Sequence, residues 1–411
     1  MRVLFLNPVG ILGGAERALL DLMACLKQQD AALSLHLLAG TAGPLLDEAR
    51  ALGVDARLLP LPAHLSSLGD SALRGRGPLE ALRFARRLAP APGLLADHGR
   101  ALRREVLGVA PDLVHSNGIK THLLSAATAG LRLKRVWHIH DFLGDRPLVR
   151  GALRVLSPLA DAAIANSQAV GDDAKSVLFR VPVHVVYNGV DLTHFAPGPS
   201  EGTRLDELAG FPVAPAGTLR VGLVATYARW KGQDAFIEAA ATLTRLHPAL
   251  PVRFFLVGAP LYQTPGSQFS EEELRRLIAS RELSDRMGLV PFQSHPDRVY
   301  RALDVFVHAS TRREPFGLTI AEALACGRPA IVSRASGAAE VLTNGVDALM
   351  IPPGDVHALV RAMRALLEDP ALRGRMGTAA RKTAAERFSR DRYASEILSV
   401  YRSLVPGTSS P

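Results

Sequence analysis

Aromatic residues are scarce, at 5% of 411, which leaves too few rings for a stacking platform on single-stranded nucleic acid. Cysteine occurs only twice, at Cys25 and Cys326. Two thiols do not make a zinc cage, and both lie in apolar helical contexts, so packed thiols in a reducing compartment are expected. No apolar run reaches the 18 or so residues of a transmembrane helix, and the opening run VLFLNPVG stops at a proline and glycines with no cleavage-type tail. A cytoplasmic protein without a signal peptide is the expectation. There is no D-x-D anywhere and no cluster with metal-ligand spacing, which predicts a site with no metal and no cofactor. Lysine is rare too, confined to Lys27, Lys120, Lys134, Lys175, Lys231 and Lys382.

What is present is arginine. The net charge is +9, but an Ala-, Arg-, Leu- and Gly-heavy chain reaches that value through composition alone, and nucleic acid is not expected as a partner. The charge is concentrated in one place: Arg74, Arg76, Arg83, Arg86, Arg87, Arg100, Arg103 and Arg104, against Glu80 and Asp97. A solvated helix face accounts for this segment. So does a peripheral contact with the anionic inner face of a membrane, through a helix at 79–88 with Leu79, Leu82 and Phe84 beside the arginines.

Along the chain, short apolar runs alternate with helical periodicity. Strands are expected at 2–9, 33–39, 56–59, 113–115, 136–140, 162–165 and 184–187, with a helix at 16–29. A Pro- and Gly-rich stretch, 191–218, breaks the pattern. Strands then return at 219–225, 252–257, 287–290, 305–309, 330–333 and 348–351, interleaved with helices at 233–246, 271–281, 295–302, 317–326 and 338–343. Helices at 356–368, 371–387 and 392–404 close the chain. Such alternation predicts an α/β protein of two doubly wound domains: 1–195, a linker at 196–217, then 218–388, with a final helix at 389–404. Ligands bind at the carboxyl ends of such strands, so the expected site is a central cleft that the two domains face.

Three segments carry chemistry. The turn GILGGAE is glycine-rich without being G-x-G-x-x-G, and the second strand ends without the acidic residue of a dinucleotide site. In EPFGLTIAEALACGRP, Glu314 precedes a helix whose first N–H groups, at Phe316, Gly317 and Leu318, suit a diphosphate. Glu314 and Glu322 would repel a phosphate but can accept hydrogen bonds from the hydroxyls of a sugar and a ribose. In VATYARWKGQD, Arg229 and Lys231 follow a strand and can neutralise a departing diphosphate.

Together, GGAE, ARWKG, the E-x7-E segment and YNGVD resemble the retaining glycosyltransferases of family four, of the GT-B fold with two Rossmann-like domains. The resemblance implies a nucleotide-sugar donor held mainly by the C-terminal domain. It also implies a carbohydrate, lipid-linked or small-molecule acceptor held mainly by the N-terminal domain, and a last helix that crosses back. It places Glu314 on the donor sugar, Glu322 on the ribose, Lys231 on the diphosphate, Gly14 where backbone meets phosphate, and His140 near the sugar. Val290 and Phe292 fall where family backbone meets the base. One position departs: the arginine that family members carry in G-R-L is Thr226 here, which leaves Arg229 to supply the second cation.

The reading is a metal-independent, retaining transferase working by front-face substitution. The alternatives are a sugar-nucleotide epimerase and a non-catalytic module that binds nucleotide-sugar or glycan.

Overall fold

The computed structural model describes residues 1–61, 91–260 and 266–406. They form two compact units, one of 1–189 with the residues from 390 onward, the other of 190–389. In the first, β1 (Arg2–Asn7), α1 (Gly14–Gln29), β2 (Ser34–Ala39), α2 (Pro44–Ala51) and β3 (Asp55–Leu58) are followed by α3 (Ala91–Val109) and β4 (Leu113–Asn117). Then come α4 (Ile119–Leu124), β5 (Lys134–Ile139), α5 (Pro147–Leu156), β6 (Ala162–Ala165), α6 (Gln168–Val177) and β7 (Val183–Val185). The strands pair in parallel in the order β3-β2-β1-β4-β5-β6-β7, with Val3 opposite both Leu35 and Leu113. The order reverses at β1 and β4, so the ends of these two strands border a crevice of the kind in which open parallel sheets hold ligands.

In the second unit, α7 (Gly202–Leu208), β8 (Leu219–Val224), α8 (Gln233–Leu246), β9 (Val252–Val257), α9 (Glu271–Ser280) and β10 (Met287–Val290) come first. They are followed by α10 (Pro296–Ala302), β11 (Val305–His308), α11 (Leu318–Ala325), β12 (Ala330–Ser333), β13 (Leu349–Ile351), α12 (Val356–Glu368) and α13 (Pro370–Arg387). The strand order is β10-β9-β8-β11-β12-β13, all parallel, and the reversal falls at β8 and β11. Strands such as VRFFLV and AIVS are covered on both faces, which is why they read as continuous apolar runs rather than alternating ones.

The last helix, α14 (Arg390–Leu404), belongs to the first unit. Its Tyr393, Ala394, Ile397, Leu398 and Tyr401 recur at helical spacing and share a core with Leu19, Leu22, Met23 and Leu26 of α1. Arg390 pairs with Asp21, and Arg402 reaches Asp30 at 3.1 Å.

Several expectations shift. The Pro- and Gly-rich stretch is not bare linker, because α7 lies inside it. Fully buried Asp206 holds that helix to the second sheet through Arg220 at 2.6 Å and Arg253 at 3.0 Å. The helix expected at 338–343 is a single 3₁₀ stretch, Gly337–Val341. Both cysteines are buried and neither is in a disulfide. The basic helix expected at 79–88 lies outside the described residues. Of the described arginines in that segment, Arg100 pairs with Asp97, and Arg103 donates to the Ala129 carbonyl at 3.0 Å. No described helix is long and apolar enough to cross a membrane.

Candidate functional site

In the second unit, the loop after β11 carries Glu314. Backbone bonds pin this loop to the chain after β12: Glu314 N–H donates to Ala335 O at 2.8 Å, and Ala338 N–H to Phe316 O at 2.8 Å. Glu314 is only 5% exposed. One carboxylate oxygen is paired with the Lys231 ammonium; the other accepts from Ser310 at 2.5 Å and meets His308 Nε2 at 2.7 Å. Burial alone would raise the pKa of this carboxyl, but Lys231 and His308 outweigh it and hold the group well below the usual carboxylate range. It is an anion at any working pH.

Gly317, at φ 94°, caps α11, and the N–H groups of a first helical turn have no intrahelical acceptor. Phe316 is buried and packs edge-on against Phe388; Leu318 opens the helix. Glu322 lies one turn further along and is 7% exposed, accepting from the Tyr300 hydroxyl at 2.6 Å. One loop-and-helix segment thus carries two buried carboxylates, one before the helix start and one a turn into it.

The cations separate. Residues Arg229–Lys231 form a single 3₁₀ turn, and Gly232, at φ 81°, lies so close to β11 that a Cβ there would sit 2.0 Å from the Ala309 carbonyl oxygen. Lys231 turns to Glu314. Arg229 instead donates to Glu273 at 2.6 Å and to the Gly266 carbonyl at 3.2 Å, and it stacks over Phe269. The Thr226 side chain carries no charge, and its carbonyl accepts from Gln233 at 2.8 Å. Val290 ends β10 with its carbonyl taken by Gly258 N–H at 3.0 Å, while Phe292 is 56% exposed.

The first unit contains Gly14 and His140. Gly14 begins α1, and a Cβ there would meet nothing within 4 Å, so among the described residues no close approach demands glycine at that position. Glu16 accepts from Gly13 N–H at 3.1 Å and from the Asn7 amide at 3.3 Å. The Asn7 carbonyl oxygen in turn accepts from Asn117 at 2.7 Å, and the Asn117 oxygen meets His140 Nε2 at 2.5 Å. A carboxylate only accepts, so Glu16 fixes the sense of this chain: His140 donates through Nε2, and its Nδ1 keeps the lone pair.

Behind His140 the rings continue. His138 lies 4.0 Å away between centroids, His115 Nε2 meets His138 Nδ1 at 3.2 Å, and Tyr401 of α14 meets His115 Nδ1 at 2.6 Å. Burial pushes the His140 pKa down to about 4 and that of nearby His122 to about 3. These histidines are neutral at pH 7.

Residues 211–383 match the glycosyl transferases group 1, and residues 12–194 match Glycosyltransferase Family 4. This chain belongs to the group 1 glycosyltransferases. Relatives include a D-inositol 3-phosphate glycosyltransferase of Thermobifida fusca, 31% identical over 67% of this chain and 66% of the relative. Another, of Salinispora arenicola, is 32% identical over 63% of this chain and 59% of its own length. The match therefore spans only about three-fifths to two-thirds of the length of these two relatives. Among solved structures, Anabaena HepE in complex with UDP and glucose is 25% identical, covers 98% of this chain and 100% of its own, and superposes with a TM-score of 0.77. A glycosyltransferase of Rickettsia africae, at 17% identity and TM-score 0.78, shares the GT-B fold.

For a group 1 glycosyltransferase, the sequence singled out Glu314, Glu322 and Lys231. It missed the groups that hold them. His308 and Ser310 end and follow the apolar strand VFVH, and a polar residue at the end of a buried strand was the available signal. Tyr300 gave none, being one aromatic in an amphipathic helix.

Proposed function

We propose that this chain transfers a sugar from a nucleotide-sugar donor to a hydroxyl-bearing acceptor, with retention of configuration and without a metal. The single observation that carries the reading is the pair of buried carboxylates, Glu314 and Glu322, bracketing the start of α11 beside Lys231. In this reading Lys231 and the first N–H groups of α11 take the charge of the departing diphosphate. Glu322, oriented by Tyr300, receives the ribose hydroxyls, and Glu314 receives those of the sugar.

Glu314 is a poor candidate for a covalent nucleophile. Lys231, Ser310 and His308 engage both of its oxygens, and a carboxylate held so acidic is weakly nucleophilic. That supports front-face substitution, in which the leaving phosphate takes the acceptor proton as the new bond forms on the same face. The protein then contributes charge and position. His140, neutral and with Nδ1 free to accept, would hydrogen-bond a hydroxyl of the reacting sugar. Gly14 would let a phosphate approach bare backbone.

The donor we favour is a UDP-sugar, since HepE is described with UDP and with UDP-glucose at 25% identity over nearly the whole chain. Calorimetry of UDP, GDP and their sugars, followed by a turnover assay, tests it; tighter binding of GDP would overturn the uridine choice.

The second reading, a binding module without turnover, gains from uncharged Thr226 and from the engagement of Arg229 by Glu273, so that of the segment 226–231 only Lys231 turns to the paired carboxylates. Slow donor hydrolysis by the purified protein excludes it; binding with no hydrolysis and no transfer would establish it.

A further inference from the structure

Spacing alone suggested no metal ligands, but the fold of the second unit brings together residues about a hundred positions apart. His194, His295 and Asp297 each offer a ligand atom, and these atoms all lie within 4.8 Å of one another. His194 follows a turn built on Asp191, whose Oδ1 accepts from Thr193 N–H at 2.9 Å and His194 N–H at 3.1 Å. His295 immediately precedes α10, and Asp297 lies in its first turn. Both histidines are exposed, whereas the Asp297 side chain is only 8% exposed.

The Asp297 carboxylate is where the arrangement is incomplete. Its Oδ2 accepts from Arg301 at 2.5 Å, one turn along α10. Its Oδ1 is buried without a hydrogen-bond partner, 3.2 Å from His194 Nε2 but outside hydrogen-bonding geometry. A buried carboxylate oxygen left in this state is costly unless something completes it.

We propose that His194, His295 and Asp297 bind one divalent ion of the zinc type. Two neutral imidazoles and a carboxylate suit zinc, whereas magnesium and calcium prefer an all-oxygen shell. Zinc–ligand bonds of about 2.0–2.2 Å put tetrahedral neighbours about 3.4 Å apart, so modest rotations of two exposed rings close the site. Arg301 fixes the carboxylate from behind, as outer partners of metal ligands do, though its charge weakens the affinity for a cation.

The ion's role is structural. It ties the segment that enters the second unit, Asp191–Phe195, to α10, where Phe195 already packs against Tyr300 at 6.1 Å between centroids. Tyr300 holds Glu322, so the clamp steadies the helix that positions that carboxylate.

The test uses full-length protein stripped with EDTA. Co²⁺ is titrated first, with the expectation of visible d–d bands that saturate at one equivalent and are bleached by Zn²⁺. Zn²⁺ at about a hundred times its Kd should raise Tm by about 5–10 °C, and equal Mg²⁺ should not. His194→Gln and His295→Gln each remove exposed side chains, so they should keep the metal-free Tm and lose both the bands and the zinc shift. Absence of Co²⁺ bands in the wild type, or bands and shift that persist in both variants, would overturn the proposal. The cobalt spectrum reports ligation directly, so it remains decisive for a variant of altered stability.

Discussion

Lys231 and Glu314 compensate each other's charge in a place where neither is well hydrated; under the proposed function, an arriving diphosphate would have to draw the ammonium away from a carboxylate that keeps His308 and Ser310. Such an exchange would make Lys231 responsive to the ligand instead of fixed, and its removal should be felt most when charge develops on the leaving group. Lys231→Ala is expected to lower turnover by roughly 10²–10³, or about 3–4 kcal/mol, in an initial-rate assay. A variant within threefold of wild type would take Lys231 out of the diphosphate role. Glu322→Ala should weaken nucleoside diphosphate binding by about 1.5–3 kcal/mol, and Tyr300→Phe by about 1 kcal/mol, because the second loses only a neutral donor to a retained carboxylate. Calorimetry separates the two; equal losses would mean that the hydroxyl does more than orient Glu322.

Elements carry the next set of consequences. Gly232 ends the 3₁₀ turn of Lys231 at φ 81°, against the Ala309 carbonyl. Gly232→Ala should therefore cost more than about 2 kcal/mol of stability by urea titration, through both the conformation and the clash. Strands β4 and β5 carry His115 and His138, which are neutral because burial disfavours their charged form. Unfolded, each takes up a proton near pH 6.5 that the native state refuses, so acid favours unfolding. A histidine held down to about 3, as His122 is, costs about 1.4 kcal/mol per pH unit below 6.5. Stability of the first unit should thus be full above pH 7 and fall steeply towards pH 4; a flat profile would mean that these rings titrate normally.

Much of this was legible because parallel strands buried on both faces announce themselves as short apolar runs, and because E-x7-E and WKG are local in sequence. His308 with Glu314, Tyr300 with Glu322, and His194 with Asp297 were not. Each pair is assembled by strand order or by a chain reversal, and periodicity contains neither. The α7 helix was hidden for a related reason: a Pro- and Gly-rich stretch reads as linker until Arg220 and Arg253 are seen to converge on Asp206.

At the scale of the molecule, each unit has its own apolar core, so unfolding should not be two-state. Differential scanning calorimetry is expected to resolve two transitions, with UDP raising the one from residues 190–389 and acid lowering the other more. A single transition that moves as one under both treatments would refute independence. Ending the chain after Ser389 deletes Tyr393, Ile397, Leu398 and Tyr401, all nearly inaccessible to solvent. At about 1.5–3 kcal/mol per buried side chain, the loss rivals the whole stability of a domain, about 5–15 kcal/mol. The first unit's transition should disappear while the other stays. The same connection sets a timetable for synthesis. Residues 190–389 leave the ribosome as one continuous stretch and can fold as they appear, but the first unit breaks off after residue 189 and resumes only with α14, 200 residues later. At roughly 5–20 residues per second, the stretch of about 370 residues between Leu26 and Tyr393 keeps the face formed by Leu19, Leu22, Met23 and Leu26 waiting on the order of 20–75 seconds for its cover. Through that interval the nascent chain carries an open apolar face, a natural place for a chaperone to hold it.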